Sequence, residues 1–173
     1  MVEIELEKTY LVKKIPEGLF DCKFKEIIDI YIPESYEHPT LRIRMKGDKY
    51  EITKKTPVNG LDSSEQTEHT ISLTKEEFET LKKVAGKKVR KLRYYYNHNG
   101  VQAEFDVFKD ELEGLVMVDF EFTEVADKDS FEMPDFCLAD VTQEKETAGG
   151  MLCGKKYSDI KPFLDKFNYI KLI

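Results

Sequence analysis

The chain is short of cysteine: Cys22, Cys137 and Cys153 are odd in number, far apart, and form no C-x-x-C pair. That pattern suits reduced thiols in a cytoplasmic setting better than a disulfide framework, and it offers no zinc site. Long apolar runs are missing too. No stretch approaches the ~20 residues of a membrane span, and the first residues are acidic where a signal peptide would be basic. There is no basic excess either. The formal net charge of −7 argues against a general partner of nucleic acid or anionic membrane, which needs a cationic surface. The P-loop, the nucleophile elbow and the Gly-rich dinucleotide fingerprint are absent, as are internal repeats and low-complexity segments. His38, His69 and His98 lie in separate segments without ligand spacing and read as surface residues.

At 173 residues the length fits one domain, residues 1–173, able to bury a core without staples. Most segments alternate with period two. The organising stretch is residues 2–12, V-E-I-E-L-E-K-T-Y-L-V, where Glu3, Glu5 and Glu7 share one strand face and Ile4 and Leu6 the other. Further strands are expected at residues 26–32, 40–45, 49–55, about 64–73, 87–96, 101–108 and 115–122. Gly47-Asp48 and Asn99-Gly100 are tight hairpin turns, and a polar loop surrounds Pro57, Asn59 and Gly60. Thr74-x-x-Glu77 is a capping box opening a helix over 74–84, and residues 157–167 form an amphipathic segment containing Pro162. The expected class is mainly β with flanking helices (α+β), about eight strands joined mostly as antiparallel hairpins.

The sign of charge sorts by strand. Solvated strand faces ordinarily mix signs, because like charges side by side repel. Here Glu3/Glu5/Glu7, Glu104/Asp106 and Asp119/Glu121 are acidic faces, while Arg42/Arg44/Lys46 and Lys91/Arg93 are basic. If the strands close into a barrel with these faces inward, an acidic wall opposes a basic wall around a polar lumen, and eight strands leave room for one small ligand. Carboxylates at i, i+2 are hard-oxygen donors suited to Mg²⁺ or Mn²⁺. Arginines at the same spacing grip phosphate oxygens in bidentate fashion.

The opening E-L-E-K-T-Y-L-V resembles the E-x-E-x-K signature of CYTH domains, the triphosphate tunnel metalloenzymes, matching at Glu5 and Glu7. L-R-I-R (41–44), I-T-K-K (52–55), K-L-R (91–93), E-F-D-V-F (104–108), G-L-V-M-V-D-F-E-F (114–122) and D-V-T (140–142) stand in the family's order. The resemblance implies a closed antiparallel eight-stranded tunnel that hydrolyses a triphosphate. Arg42, Arg44, Lys55, Lys91 and Arg93 would hold phosphates. Glu5 and Glu7 would be catalytic and bind metal together with Asp106, Asp119 and Glu121, with Glu104 and Glu68 as further acids. Mg²⁺ or Mn²⁺ is the implied cofactor. Inorganic triphosphate is the preferred substrate and thiamine triphosphate the next. A class IV adenylate cyclase making cyclic AMP from ATP is the enzymatic alternative, and a non-catalytic polyphosphate or nucleotide binder the other. Two positions depart from the pattern: Thr9 stands at the signature lysine, so that Lys46 or another base would be recruited, and Ser64 stands where an arginine is common. Lys155-Lys156 could aim a cation at phosphate from a C-terminal segment closing the tunnel. The expected partner is a small-molecule triphosphate, with no nucleic acid and no membrane; a homodimer is left open.

Overall fold

The computed structural model describes residues 2–58 and 62–173, with side chains from Ile4 onward. The side chain of Glu3 and the loop residues Asn59 and Gly60 lie outside the described residues. The elements run β1 (Val2–Val12), β2 (Phe24–Ile32), β3 (Leu41–Lys46), β4 (Lys49–Pro57), β5 (Glu65–Leu73), α1 (Lys75–Leu81), β6 (Lys87–His98), β7 (Val101–Phe108), β8 (Val116–Phe122), α2 (Val125–Ser130), β9 (Cys137–Asp140), α3 (Gly149–Leu152) and α4 (Tyr157–Leu164). Neighbouring strands follow the order β5-β4-β3-β2-β6-β7-β8-β1, and β5 pairs back onto β1. The result is a closed, wholly antiparallel eight-stranded barrel, as the alternation predicts.

The turns follow from their residues. Gly47, Asn99 and Gly100 all take positive φ (62°, 51° and 88°), the left-handed backbone that Gly and Asn adopt at least cost. Thr74 caps α1 by accepting from the Glu77 amide at 3.2 Å, while Glu77 accepts from the Thr74 amide at 2.7 Å.

The seam is β1. Along one edge it pairs with β8, from Leu6↔Phe122 to Leu11↔Met117. Its other edge is divided between β5, up to Leu6↔Glu65, and β9, from Tyr10↔Asp140 onward. The short β9 carries no sequence alternation and was not expected. Nor were α2 and α3, which are six and four residues long. Residues 157–167 divide into α4 and a 3-10 turn over Asp165–Phe167. Pro162 lies at the sixth position of α4, past the first turn where proline is harmless, and the helix stops two residues later.

Strand alternation then separates two environments. Outward residues Tyr10, Val12, Val116, Val118 and Phe120 pack under Phe136 and Cys137, and α1 covers β2 and β3 through Phe78 against Ile30 and Ile43. Inward residues form an apolar cluster at one end of the barrel. There Leu11, Val89, Phe108 and Met117 meet Leu152 of α3 and Ile160, Phe163 and Leu164 of α4 in a single buried cluster. The helices thus floor the barrel, and the rest of its interior is charged.

Candidate functional site

Above that apolar floor lies a bore of about 450 Å³. The strand parity that buries Leu11 turns Glu5, Glu7 and Thr9 inward, and the same rule presents Arg42, Arg44 and Lys46 from β3, Lys55 from β4, Lys91 and Arg93 from β6, and Asp119 and Glu121 from β8. Arg44, Lys91 and Glu121, from three separate strands, therefore line one cavity.

One wall is built on Arg93. Its Nε donates to Asp106 Oδ1 at 2.7 Å, its Nη2 donates to Asp106 Oδ2 at 2.6 Å and to Asp119 Oδ2 at 3.1 Å, and its Nη1 donates to Glu104. The Lys91 ammonium donates to Asp106 as well. Burial alone would raise the Asp106 pKa, but Arg93 and Lys91 together bring it down to about 2. Asp119 moves the other way: burial and the neighbouring Asp106 charge outweigh Arg93, and its carboxyl is raised. For Lys91, burial outweighs Asp106 and lowers the ammonium pKa.

The facing wall is built on Lys55, whose ammonium donates to Glu5 and lies 4.0 Å from Glu7 Oε1 and 3.5 Å from Glu68 Oε2. Glu68 also accepts from Thr70 Oγ1 at 2.6 Å. Burial would depress Lys55, but Glu7 and Glu5 raise it. Burial raises Glu7 despite Lys55, whereas Glu68, helped by Lys55 and Thr70, falls.

Between the walls stand the β3 arginines. Arg44 forks onto Asp29, Nε to Oδ1 at 2.6 Å and Nη2 to Oδ2 at 2.8 Å. The buried Asp29 would rise by desolvation, yet Arg44 holds it below the usual carboxylate range. Arg42 donates from Nη1 to the Tyr31 hydroxyl at 3.3 Å and approaches Glu68 Oε2 at 3.6 Å, while its buried Nε has no hydrogen-bond partner. Glu121 stands at the rim as an exposed residue. Partial desolvation and the Glu104, Glu5 and Glu7 carboxylates push it up to about 7, against the pull of Arg93.

Several expectations change. Asp106, expected among the metal ligands, accepts hydrogen bonds from Arg93 and Lys91. His38 is not an ordinary surface residue but lines the cavity beside Pro39 and Gly149, where the floor meets the β2–β3 loop. Lys155 and Lys156 stay outside it, Lys156 lying 4.0 Å from Glu111; Lys145 is the lysine of the C-terminal region that reaches the cavity. Asp29 and Tyr31 were not foreseen, although they share a strand face. Thr9, at the signature lysine, donates to Asp119 Oδ1 at 2.7 Å, so position 9 addresses a carboxylate. Lys8 faces out and donates to the Phe131 carbonyl at 3.4 Å, as strict parity requires. Ser64 accepts from the buried Lys128 of α2 at 2.9 Å, and Lys128 also pairs with Glu65 at 2.8 Å.

Among the described residues, no three His, Cys, Asp or Glu side chains converge on a common point as metal ligands. What does converge, from Glu5, Glu7 and Glu68, is a set of carboxylates around the Lys55 ammonium. Their hard oxygens fit Mg²⁺ or Mn²⁺ in kind, and a cation already occupies their centre.

A closed barrel with cations and carboxylates opposed across its bore defines a tunnel-type site for a polyanion. The chain belongs to the CYTH domain family, which it matches over residues 12–147. It is 29% identical over 143 residues to the inorganic triphosphatase of Nitrosomonas europaea, an alignment covering 82% of this chain and 91% of that protein. It also resembles the crystal structure of the inorganic triphosphatase NE1496, with a TM-score of 0.64 and 26% identity over 87% of this chain and 95% of that one. A putative adenylate cyclase from Bacillus halodurans superposes with a TM-score of 0.54 over 99% of this chain and 94% of its own; at 17% identity that likeness is one of fold. Among the described residues, no helix is long and apolar enough to cross a membrane.

Proposed function

We propose that the chain is a divalent-metal-dependent hydrolase of a triphosphate, with inorganic triphosphate the preferred substrate and thiamine triphosphate next. The observation that carries this is Arg42. Its guanidinium is buried in the bore among other cations, yet its Nε has no protein partner, and a buried donor so placed is completed by a ligand or a water from the bore. The likeness to an inorganic triphosphatase, in sequence and in structure, supports the reading.

Arg42, Arg44, Lys55, Lys91 and Arg93 would bind the phosphate chain and stabilise charge as the terminal bond breaks. Arginine suits this because its charge persists when desolvated and its fork matches phosphate oxygens. Glu5, Glu7, Asp119 and Glu121 would hold Mg²⁺ or Mn²⁺, which when bound neutralises phosphate oxygens and favours attack by water. Thr9 holds Asp119 in place, and Asp106, already committed to Arg93 and Lys91, fixes the cations. The apolar floor leaves the charged end of the bore as the way in.

The test is a screen for orthophosphate, pyrophosphate and cyclic AMP released from inorganic triphosphate, thiamine triphosphate and ATP, with Mg²⁺, with Mn²⁺ and with chelator. Orthophosphate from inorganic triphosphate, abolished by chelator and by E5Q/E7Q in a folded barrel, is expected. Cyclic AMP from ATP would transfer the assignment to the cyclase alternative, and unchanged turnover in E5Q/E7Q would reject it.

A further inference from the structure

Lys46 is the exception among the cations of the bore. Among the described residues, each of the other arginines and lysines that line the cavity has a carboxylate partner, and Lys46 has none. It ends β3 at the charged end of the bore, half-buried beside the Gly47-Asp48 turn. What it meets is an aromatic face. Its Nζ lies 5.7 Å from the centroid of the Tyr95 ring, which β6 presents on the same side as Lys91 and Arg93. Strand rise spreads the β3 cations into a column about 13 Å long. The column runs from Arg42, beside Tyr31 and the Gly149 that packs on it, through Arg44 to Lys46 at the mouth.

We infer that Lys46, held against Tyr95, selects a free terminal phosphate at the mouth of the bore and so favours inorganic triphosphate over triphosphates that carry an organic group. The inference rests on the hydrolase reading and supplies a physical basis for its substrate preference. A cation already paired with a buried carboxylate grips an anion only by dividing its charge, whereas Lys46 has its whole charge to give. The two substrate classes differ at one end. Inorganic triphosphate has a terminal phosphate on each side, with about two negative charges apiece. In an organic triphosphate the inner phosphate is esterified, keeps a single charge and brings a bulky group. The apolar floor leaves such a group room only at the mouth. There a free phosphate meets an ammonium, while an organic group must displace that ammonium to reach the Tyr95 face.

The test compares kcat/KM for inorganic triphosphate and for thiamine triphosphate, with Mg²⁺, in wild type, K46M and K54M, with circular dichroism to confirm folding. Lys54 is an exposed lysine of β4 on the outer face and controls for loss of charge. K46M should lose about tenfold or more on inorganic triphosphate and about threefold or less on thiamine triphosphate, while K54M changes neither by more than about twofold. If K46M does not fold, K46Q carries the same expectation. No loss on inorganic triphosphate overturns the inference, as does an equal proportional loss on both substrates or a wild type that prefers thiamine triphosphate. Calorimetric titration with both triphosphates in chelator separates the two readings. A wild-type chain that hydrolyses neither rejects the hydrolase, and a selective loss of inorganic triphosphate binding in K46M then still supports the role of Lys46. Binding of neither triphosphate overturns both.

Discussion

The two walls of the bore use one motif, a central cation holding several carboxylates, and differ in water. Around Arg93 the side chains of Arg93, Glu104 and Asp106 are 9%, 4% and 5% exposed; around Lys55 those of Lys55 and Glu5 are 21% and 25% exposed. The difference in cation follows. A dry site needs a charge that cannot be lost and a fork that reaches three acids at once, which is guanidinium. A wetter site can use an ammonium, a compact charge on a flexible stem that moves at little cost. The same pairing is therefore drier on one wall and wetter on the other.

The largest way to break this contrast is R93M. It leaves Glu104, Asp106 and Asp119 buried without their shared cation, and stability should fall by about 3–5 kcal/mol, read as the midpoint of urea unfolding. An equal loss from K55M would erase the distinction between the walls. Next comes activity: E7Q should lower triphosphate turnover about a hundredfold while the melting temperature moves by only a few degrees, checked by phosphate release and circular dichroism. T9V should be smaller. It removes the 2.7 Å bond that restrains Asp119 and should cost about 1 kcal/mol.

The smallest effect is on pH dependence, and it has opposite signs for two carboxyls. Asp106 has a folded pKa lowered from 3.8 to about 2, so its contribution is present above about pH 4 and disappears as the pH falls toward 2. Glu121 is raised from 4.5 to about 7, so the folded chain takes up a proton first, and stability rises as the pH falls from about 7 toward 4.5. A melting profile should rise gently on mild acidification and then drop below pH 4. E121Q should weaken the first limb, to which the raised Glu7 and Asp119 carboxyls also contribute, and leave the second.

Much of the bore could be read in the chain because strand parity is strict. Single-sign runs such as Arg42/Arg44 and Lys91/Arg93 placed those side chains on common faces, and a one-sign face must find a partner. Asp29 and Tyr31 escaped because Ile27, Asp29 and Tyr31 mix apolar, acidic and phenolic groups on one face, so no charge pattern marks it. Their role arises from Arg44 and Arg42 on the next strand, a register that pairs Asp29 with Arg44 and Tyr31 with Arg42. Likewise Lys55 and Glu5 are fifty positions apart, and only the β5–β1 closure brings them together. The short β9 and α3 have too few residues to show any period, and Lys128 sits on a six-residue helix that propensity alone would not announce.

The seam strand has one more consequence, for how the barrel is made. β1 precedes its partners in the chain: Thr9 pairs with Asp119 and Tyr10 with Asp140, more than a hundred residues later. Until those partners are synthesised, β1 has no completed ladder on either edge, and unpaired edges invite association with other chains. Closure of the cylinder must then be a late and slow event, governed by long-range contacts, and the nascent chain is most exposed to misassembly just before β8 and β9 are made.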